Sequence, residues 1–117
     1  MCENRGLIEH EWVAYQEKLL RCLELILEAQ PDQVLALRML GDVYVKQGKI
    51  NQASEAYRRL MVASPGDRPV LLLRLQDWLK QHPDALPLLM LGVELAIDSG
   101  DLALADRWLQ QIGRAHV

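Results

Sequence analysis

The sequence of 117 residues contains no Phe, only two Cys, and no cluster of Lys and Arg. A net charge of −3 without a basic cluster offers phosphate groups little to bind, so nucleic acid is not an expected partner. No apolar run approaches the ~20 residues that a membrane-spanning helix requires. The beginning, MCENRGLIEHEW, lacks the apolar core of a signal peptide. We therefore expect a cytoplasmic protein with no membrane span.

The few cysteines support the same compartment. Cys2 and Cys22 form no CxxC motif, and two residues are too few for a disulfide framework. We interpret Cys2 as a reduced thiol in the N-terminal tail and Cys22 as a thiol that packs within a helix interface.

Motifs of catalytic and cofactor-binding sites are also missing. The patterns GxGxxG, GxxxxGK[ST] and GxSxG do not occur. His10 begins a stretch similar to the HExxH zinc motif, but Ala14 stands where the second His would be. His82 is interpreted as a helix-end residue, His116 as a tail residue, and the acidic residues of 98–106 as surface charges. We predict no enzyme activity, no cofactor and no metal site.

The abundant residues favour helix. Leu, Ala, Gln, Glu and Arg lose little rotamer freedom in a helix, and they dominate this sequence. Hydrophobic residues make up 50% of the chain and charged residues 25%, which is ordinary for one globular domain. Apolar side chains recur at intervals of three to four residues, and no stretch alternates as a strand does. The expected fold class is all-α.

Proline, aspartate and glycine divide the chain into helices. Three prolines each follow a helical run and end it: Pro31, Pro65 and Pro83. Aspartates just after them are predicted to cap the next helices: Asp32, Asp67 and Asp84. Gly48 and Gly100 are predicted to close helices in the left-handed conformation. These signals predict six helices: 8–29, 33–47, 51–63, 69–81, 85–98 and 102–113.

One segment carries a repeat signature. Pro31 and Pro65 are 34 residues apart (65 − 31). Between them stand the residues of the pattern, in order: Leu37, Leu40, Gly41, Tyr44, Gly48, Ala53 and Tyr57. This segment resembles the tetratricopeptide repeat (TPR) family, and it departs mainly at Leu37 and Leu60, where Trp and Ala are usual. The resemblance implies stacked antiparallel helix pairs, in which large side chains fill the space beside Gly41 and Ala53.

The resemblance divides the single domain, residues 1–117, into four parts. They are a half repeat (8–30), a full repeat (34–67), an odd helix (69–82) and a degenerate repeat (86–117). Aligning Gly100 with Gly48 places Val93 at the small position and Leu109 at a large position of the degenerate repeat.

The odd helix lies in RPVLLLRLQDWLKQH, where Pro65 and Pro83 are only 18 residues apart (83 − 65). Its main apolar stripe is Leu71, Leu72, Leu75, Trp78 and Leu79. Val70 and Leu73 form a second patch. A single helix between two pairs should reverse the second pair, so we predict that Met39 and Met90 do not share one continuous groove.

In the TPR family, the first helix of each repeat lines a groove that binds a peptide. The resemblance places these residues of the full repeat on the groove: Leu35, Arg38, Met39, Asp42, Val45 and Lys46. For the degenerate repeat it places Met90, Leu91 and Glu94 there. Members that bind a C-terminal carboxylate have Asn where this chain has Asp42, an acid that would repel the ligand. The alternative for Met39 and Met90 is a role as core fillers.

The expected function is therefore non-catalytic protein–protein interaction, as a scaffold, an adaptor or a small chaperone that binds a peptide or helix of a partner. One alternative is a docking fragment of a larger multi-domain enzyme or regulator. Another is a chaperone for a secretion or pilus subunit, suggested by the small size and the apolar groove.

Two questions concern the large apolar residues. Trp12, Trp78 and Trp108 each have apolar neighbours at helical spacing, which fits both core packing and a partner anchor. The last predicted helix remains apolar at Leu104, Trp108 and Ile112, without a polar capping helix after it. We predict that these three residues take part in homo-oligomer formation or are covered by a partner chain.

Overall fold

A computed structural model of the protein describes the backbone of residues 5–115 and the side chains of residues 11–114. It contains six helices: α1 (Arg5–Ala29), α2 (Val34–Lys46), α3 (Ile50–Ala63), α4 (Arg68–Gln81), α5 (Leu86–Ser99) and α6 (Leu102–Ala115). A 3₁₀ turn, Pro65–Asp67, precedes α4, and residues 5–115 include no strand. The predicted all-α class is confirmed.

Glycine closes α2 and α5 in the same way. Gly48 and Gly100 have φ of +77° and +82°, a conformation that glycine adopts without steric cost. After each helix, two backbone N–H groups bond back into the last turn, for example from Lys49 to the Tyr44 carbonyl at 2.8 Å. The prediction for both glycines is confirmed.

The predicted aspartate caps are corrected by the structure. Helix α2 begins one residue later than expected, so Gln33 holds the capping position and its Oε1 accepts from the Ala36 N–H at 3.0 Å. No side chain caps α4 or α5. Asp67 instead accepts from the Ser64 hydroxyl at 2.9 Å. The aspartate that does cap a helix is Asp101, which accepts from the Leu104 N–H at 3.1 Å.

In each of two helix hairpins, α2–α3 and α5–α6, a glycine of the first helix packs against an aromatic ring of the second helix. A Cβ added at Gly41 would overlap the ring of Tyr57, and one added at Gly92 would lie 2.7 Å from Trp108 Cζ3. The degenerate repeat therefore uses Gly92 and Trp108, one position before the predicted Val93 and Leu109. Leu109 is exposed and Trp108 is buried, which corrects the alignment.

Each hairpin also makes an equivalent hydrogen bond to a proline carbonyl. The side chain of Arg59 on α3 donates to the Pro31 carbonyl at 3.0 Å, and that of Gln111 on α6 donates to the Pro83 carbonyl at 2.7 Å. Both prolines and both donors are separated by 52 positions (83 − 31 and 111 − 59). The second helix of each hairpin thus holds the turn that precedes the first helix.

The helices alternate between two layers. Asp42–Arg74 joins α2 to α4 at 2.7 Å, and Arg58–Glu94 joins α3 to α5 at 2.7 Å. Helices α4 and α6 line a common cavity beside Leu79. We call α2, α4 and α6 the even layer, and α1, α3 and α5 the odd layer. No described helix combines the length and the apolar character that crossing a membrane requires.

Helix α4 lies in the even layer and is a single helix between the two hairpins. Its stripe Leu71, Leu72, Leu75 and Leu79 is buried, whereas Val70 and Leu73 are exposed. Since α4 follows α2 in the even layer, α5 begins the next hairpin in the odd layer. Met39 and Met90 consequently lie on helices of opposite layers.

The glycine–aromatic contacts predict the effect of adding one methyl group. Gly41→Ala and Gly92→Ala should each lower the free energy of unfolding by about 1–3 kcal/mol, because the added Cβ overlaps an aromatic ring in the core. Gly113→Ala, with no atom within 4 Å of the added Cβ, should raise it by up to about 1 kcal/mol through helix propensity. Urea denaturation of the three variants measures this, and equal values for Gly92→Ala and Gly113→Ala would contradict the close packing.

Candidate functional site

A network of polar side chains joins the first hairpin, α2–α3, to helix α4. The Tyr57 hydroxyl donates to Asp42 Oδ1, and Trp78 Nε1 donates to the Tyr57 oxygen at 3.0 Å. Arg74 Nη1 donates to Asp42 Oδ2 at 2.7 Å. Every member therefore has a partner of opposite hydrogen-bonding character, which is the condition for burying polar groups without a large cost.

The environment of Tyr57 keeps its hydroxyl protonated. Burial raises the pKa of Tyr57 above its usual value, and the negative charge and accepting oxygen of Asp42 raise this pKa further. The Trp78 N–H and the Arg74 charge act in the opposite direction but do not reverse the shift. Tyr57 is thus a hydrogen-bond donor to Asp42 at neutral pH, and the network is a structural link between helices.

The role expected of Asp42 changes in this arrangement. Its carboxylate is bound by Tyr57 and Arg74, and its side chain is largely covered. Its charge is therefore compensated within the protein, so Asp42 no longer acts as a free acid that repels ligands. Its contact with Arg74 instead sets α2 and α4 side by side.

An apolar surface lies next to this ion pair. On α4, Val70 and Leu73 are exposed, and 63% of the accessible surface of Leu73 remains open. Together with Trp78, which is half-buried, they line a shallow cavity of about 400 Å³. The polar members of its lining are Arg74, Asp77 and Gln81.

Helix α2 contributes to the same side of the molecule. Arg38 stands one helical turn before Asp42 on α2, and Val70 stands one turn before Arg74 on α4, so each lies on the side of its helix that carries the ion pair. Leu35, one further turn back on α2, is exposed, and Met39 is half-buried. We call this surface the α2–α4 face: Leu35, Arg38, Met39, Asp42, Val70, Leu73, Asp77 and Trp78.

Several predicted groove residues lie elsewhere. Val45 and Leu91 have no exposed surface and belong to the core, which corrects their assignment to a binding groove. Lys46 is exposed, but its Nζ lies over the Trp12 ring of α1 at 5.6 Å. Met90 and Glu94 are exposed on α5, in the odd layer. The sequence prediction placed no residue of α4 among the binding candidates, although it noted Val70 and Leu73 as a second apolar patch.

The residues predicted for self-association are also mostly internal. Leu104 and Trp108 are buried and Ile112 is half-buried, because they pack toward α5 and the core. This corrects the predicted surface. Cys22, predicted to pack in an interface, is an exposed free thiol.

The three tryptophans differ in environment. Trp108 is buried in the second hairpin, and Trp78 is half-buried in the polar network. Trp12 is exposed and stacks on Tyr15 with ring centroids 5.8 Å apart. Whether a tryptophan packs in the core or lies on the surface thus differs among the three positions.

Within the described part of the chain, no three His, Cys, Asp or Glu side chains are grouped as metal ligands would be. Cys2, His10 and His116 lie outside the described side chains. No protein-family model matches the chain, and no curated protein is significantly similar to it. The geometry of its own residues is therefore the basis for a functional proposal.

The raised pKa of Tyr57 predicts how stability depends on pH. The unfolded chain loses this proton near the ordinary value of about 10, whereas the folded state retains it, so the contribution of Tyr57 is complete below pH ~10 and is lost as the pH rises further. Above pH ~10, the free energy of unfolding should fall more steeply in the wild type than in Tyr57→Phe, by up to about 1.4 kcal/mol per pH unit.

Urea denaturation at a series of alkaline pH values measures both slopes. Tyr57→Phe should also carry a constant loss of about 1–3 kcal/mol, since Asp42 and Trp78 each lose a partner. Tyr15 makes none of these contacts, so Tyr15→Phe should keep the wild-type slope. Identical slopes for the wild type and Tyr57→Phe would refute the role of the hydroxyl.

Proposed function

We propose that the chain is a TPR-like, non-catalytic protein-binding module that holds a peptide or helix of a partner on the α2–α4 face. The resemblance of residues 34–67 to the TPR pattern supports this, as does the recurrence of the glycine–aromatic contact and the proline anchor in both hairpins. The function is the one this architecture favours, since stacked helices present extended surfaces.

The observation that carries the proposal is the apolar surface beside a compensated ion pair. Val70, Leu73 and Leu35 are exposed, while Asp42 and Arg74 neutralise each other between α2 and α4. Burying such side chains against a partner contributes about 1.5–3 kcal/mol each. Arg38 and Asp77 add one charge of each sign at the border. The partner segment is therefore an amphipathic one with an apolar centre.

The same surface serves a scaffold, an adaptor or a small chaperone. It also serves the two narrower roles considered from the sequence, a docking part of a larger enzyme or regulator and a chaperone for a secretion or pilus subunit. The compartment we propose is the cytoplasm, because the exposed thiol of Cys22 is compatible with a reducing environment.

The α2–α4 face predicts which substitution abolishes partner binding. Leu73→Glu places a charge at the centre of the apolar surface and should lower the affinity for partners by at least about tenfold, the equivalent of ~1.4 kcal/mol. Val62→Glu is the matched control, since Val62 is 80% exposed but lies on α3 in the odd layer. Both variants should fold, because neither side chain is part of the core.

Affinity purification with quantitative mass spectrometry identifies the partners, and titration of a purified partner into each variant measures the affinity. A partner that binds the wild type and Val62→Glu but not Leu73→Glu supports the proposal. Equal binding by Leu73→Glu would remove the α2–α4 face as the site.

A further inference from the structure

Helix α1 carries two apolar faces, and only one of them is covered. Gln16, Leu23 and Leu27 are buried where α1 packs on α2. A second stripe stands mostly exposed at alternating intervals of three and four residues: Trp12, Tyr15, Leu19, Cys22 and Ile26. This spacing is typical of a helix that pairs lengthwise with another helix.

The N-terminal part of this stripe, from Trp12 to Leu19, lines a large cavity. Its volume is about 770 Å³, and its lining comes from α1 and α2: Glu11, Trp12, Tyr15, Leu19 and Lys46. The cavity lies against α1 of the odd layer and beside α2 of the even layer. It is therefore the position that one more helix of the even layer would hold, as α4 does beside α2 through the Asp42–Arg74 pair and beside Tyr57 of α3 through Trp78.

Helix α6 has the complementary properties. It belongs to the even layer, and it buries Leu104, Ala105 and Trp108 within its own molecule. Its other side exposes Leu102 to 66% and Leu109 to 51%, with Asp106 between them at helical spacing. Asp106 accepts a hydrogen bond from Gln110 of the same helix and remains exposed.

We propose that copies of this chain associate head to tail, with α6 of one copy seated in the cavity between α1 and α2 of the next. Among the described helices, α1 lies in the odd layer and α6 in the even layer, so α6 followed by α1 of another copy continues the alternation. The order α2, α4, α6 of the even layer thus continues across the junction into α2 of the next copy.

Apolar and charged groups match in this arrangement. Leu102 and Leu109 meet the exposed rings of Trp12 and Tyr15, and Asp106 meets the positive charge of Lys46. An acid–base pair also joins the neighbouring helices α2 and α4 of the even layer, at 2.7 Å between Asp42 and Arg74. Both charge complementarity and continuity of the layers therefore select a second copy as the occupant.

A head-to-tail interface leaves one free face at each end of the assembly. Growth therefore continues beyond the dimer unless the rotation between copies closes a ring. The weight-average mass in solution should increase with concentration past twice the monomer mass. An interface of α1 with α1 of another copy would instead stop at the dimer.

Two single substitutions separate these arrangements. Trp12→Glu removes the α1 face and Leu109→Glu removes the α6 face, and both residues are exposed, so far-UV circular dichroism and melting temperature should match the wild type. Each variant alone should be monomeric in sedimentation equilibrium. An equimolar mixture should form a dimer and nothing larger, because each chain supplies the face that the other lacks.

A charge exchange tests the junction independently of apolar surface. Asp106→Lys should weaken association at low salt about tenfold, and combining it with Lys46→Asp should restore it. Leu73→Glu, which alters the α2–α4 face, should associate like the wild type, so this proposal and the proposed function succeed or fail separately. The proposal is wrong if the wild type stays monomeric throughout, if Leu109→Glu still dimerises alone, or if the mixture remains monomeric.

Discussion

The fold depends on the side chain of Tyr57. Its ring fills the notch at Gly41 and thereby fixes the distance between α2 and α3. Its hydroxyl donates to Asp42 and accepts from Trp78, while Asp42 also binds Arg74. One residue of α3 thus connects the first hairpin to α4. Because α4 is placed beside α2, the following helices take the layers that they do.

The second hairpin uses the same shape without the polar connection. Trp108 fills the notch at Gly92, but the structure shows no hydrogen bond of its indole to a neighbouring helix among the described residues. This hairpin is held by packing and by the Gln111 contact with the Pro83 carbonyl, and surface ion pairs join its helix α5 to α3 and α4. Exposed ion pairs contribute little, typically about 0–1 kcal/mol. The partly buried hydrogen bonds between side chains of different helices are therefore concentrated around the first hairpin and α4.

The two surfaces that we assign have different origins in this arrangement. The α2–α4 face arises because the network pairs the central charges, Asp42 and Arg74, and leaves Val70 and Leu73 uncovered beside them. The surfaces of α1 and α6 arise because each is an outer helix of the stack within the described residues, and each retains one apolar side. Since the two sets share no residue, partner binding and association between copies do not exclude each other.

The sequence by itself determined the six helices, their ends at Pro31, Pro83, Gly48 and Gly100, and the buried stripe of α4, because these depend on backbone conformation and on side-chain spacing within one helix. Part of the proposed site could also be predicted from the sequence: Leu35, Arg38 and Met39 on α2, and the apolar patch Val70 and Leu73. Only the tertiary structure decided that α4 rather than α5 stands beside α2, that Trp108 rather than Leu109 faces Gly92, and that Val45 and Leu91 are internal. A shift of one residue turns a helical side chain by about 100°, so the choice of face depends on the shapes of side chains on other helices, which no local pattern contains.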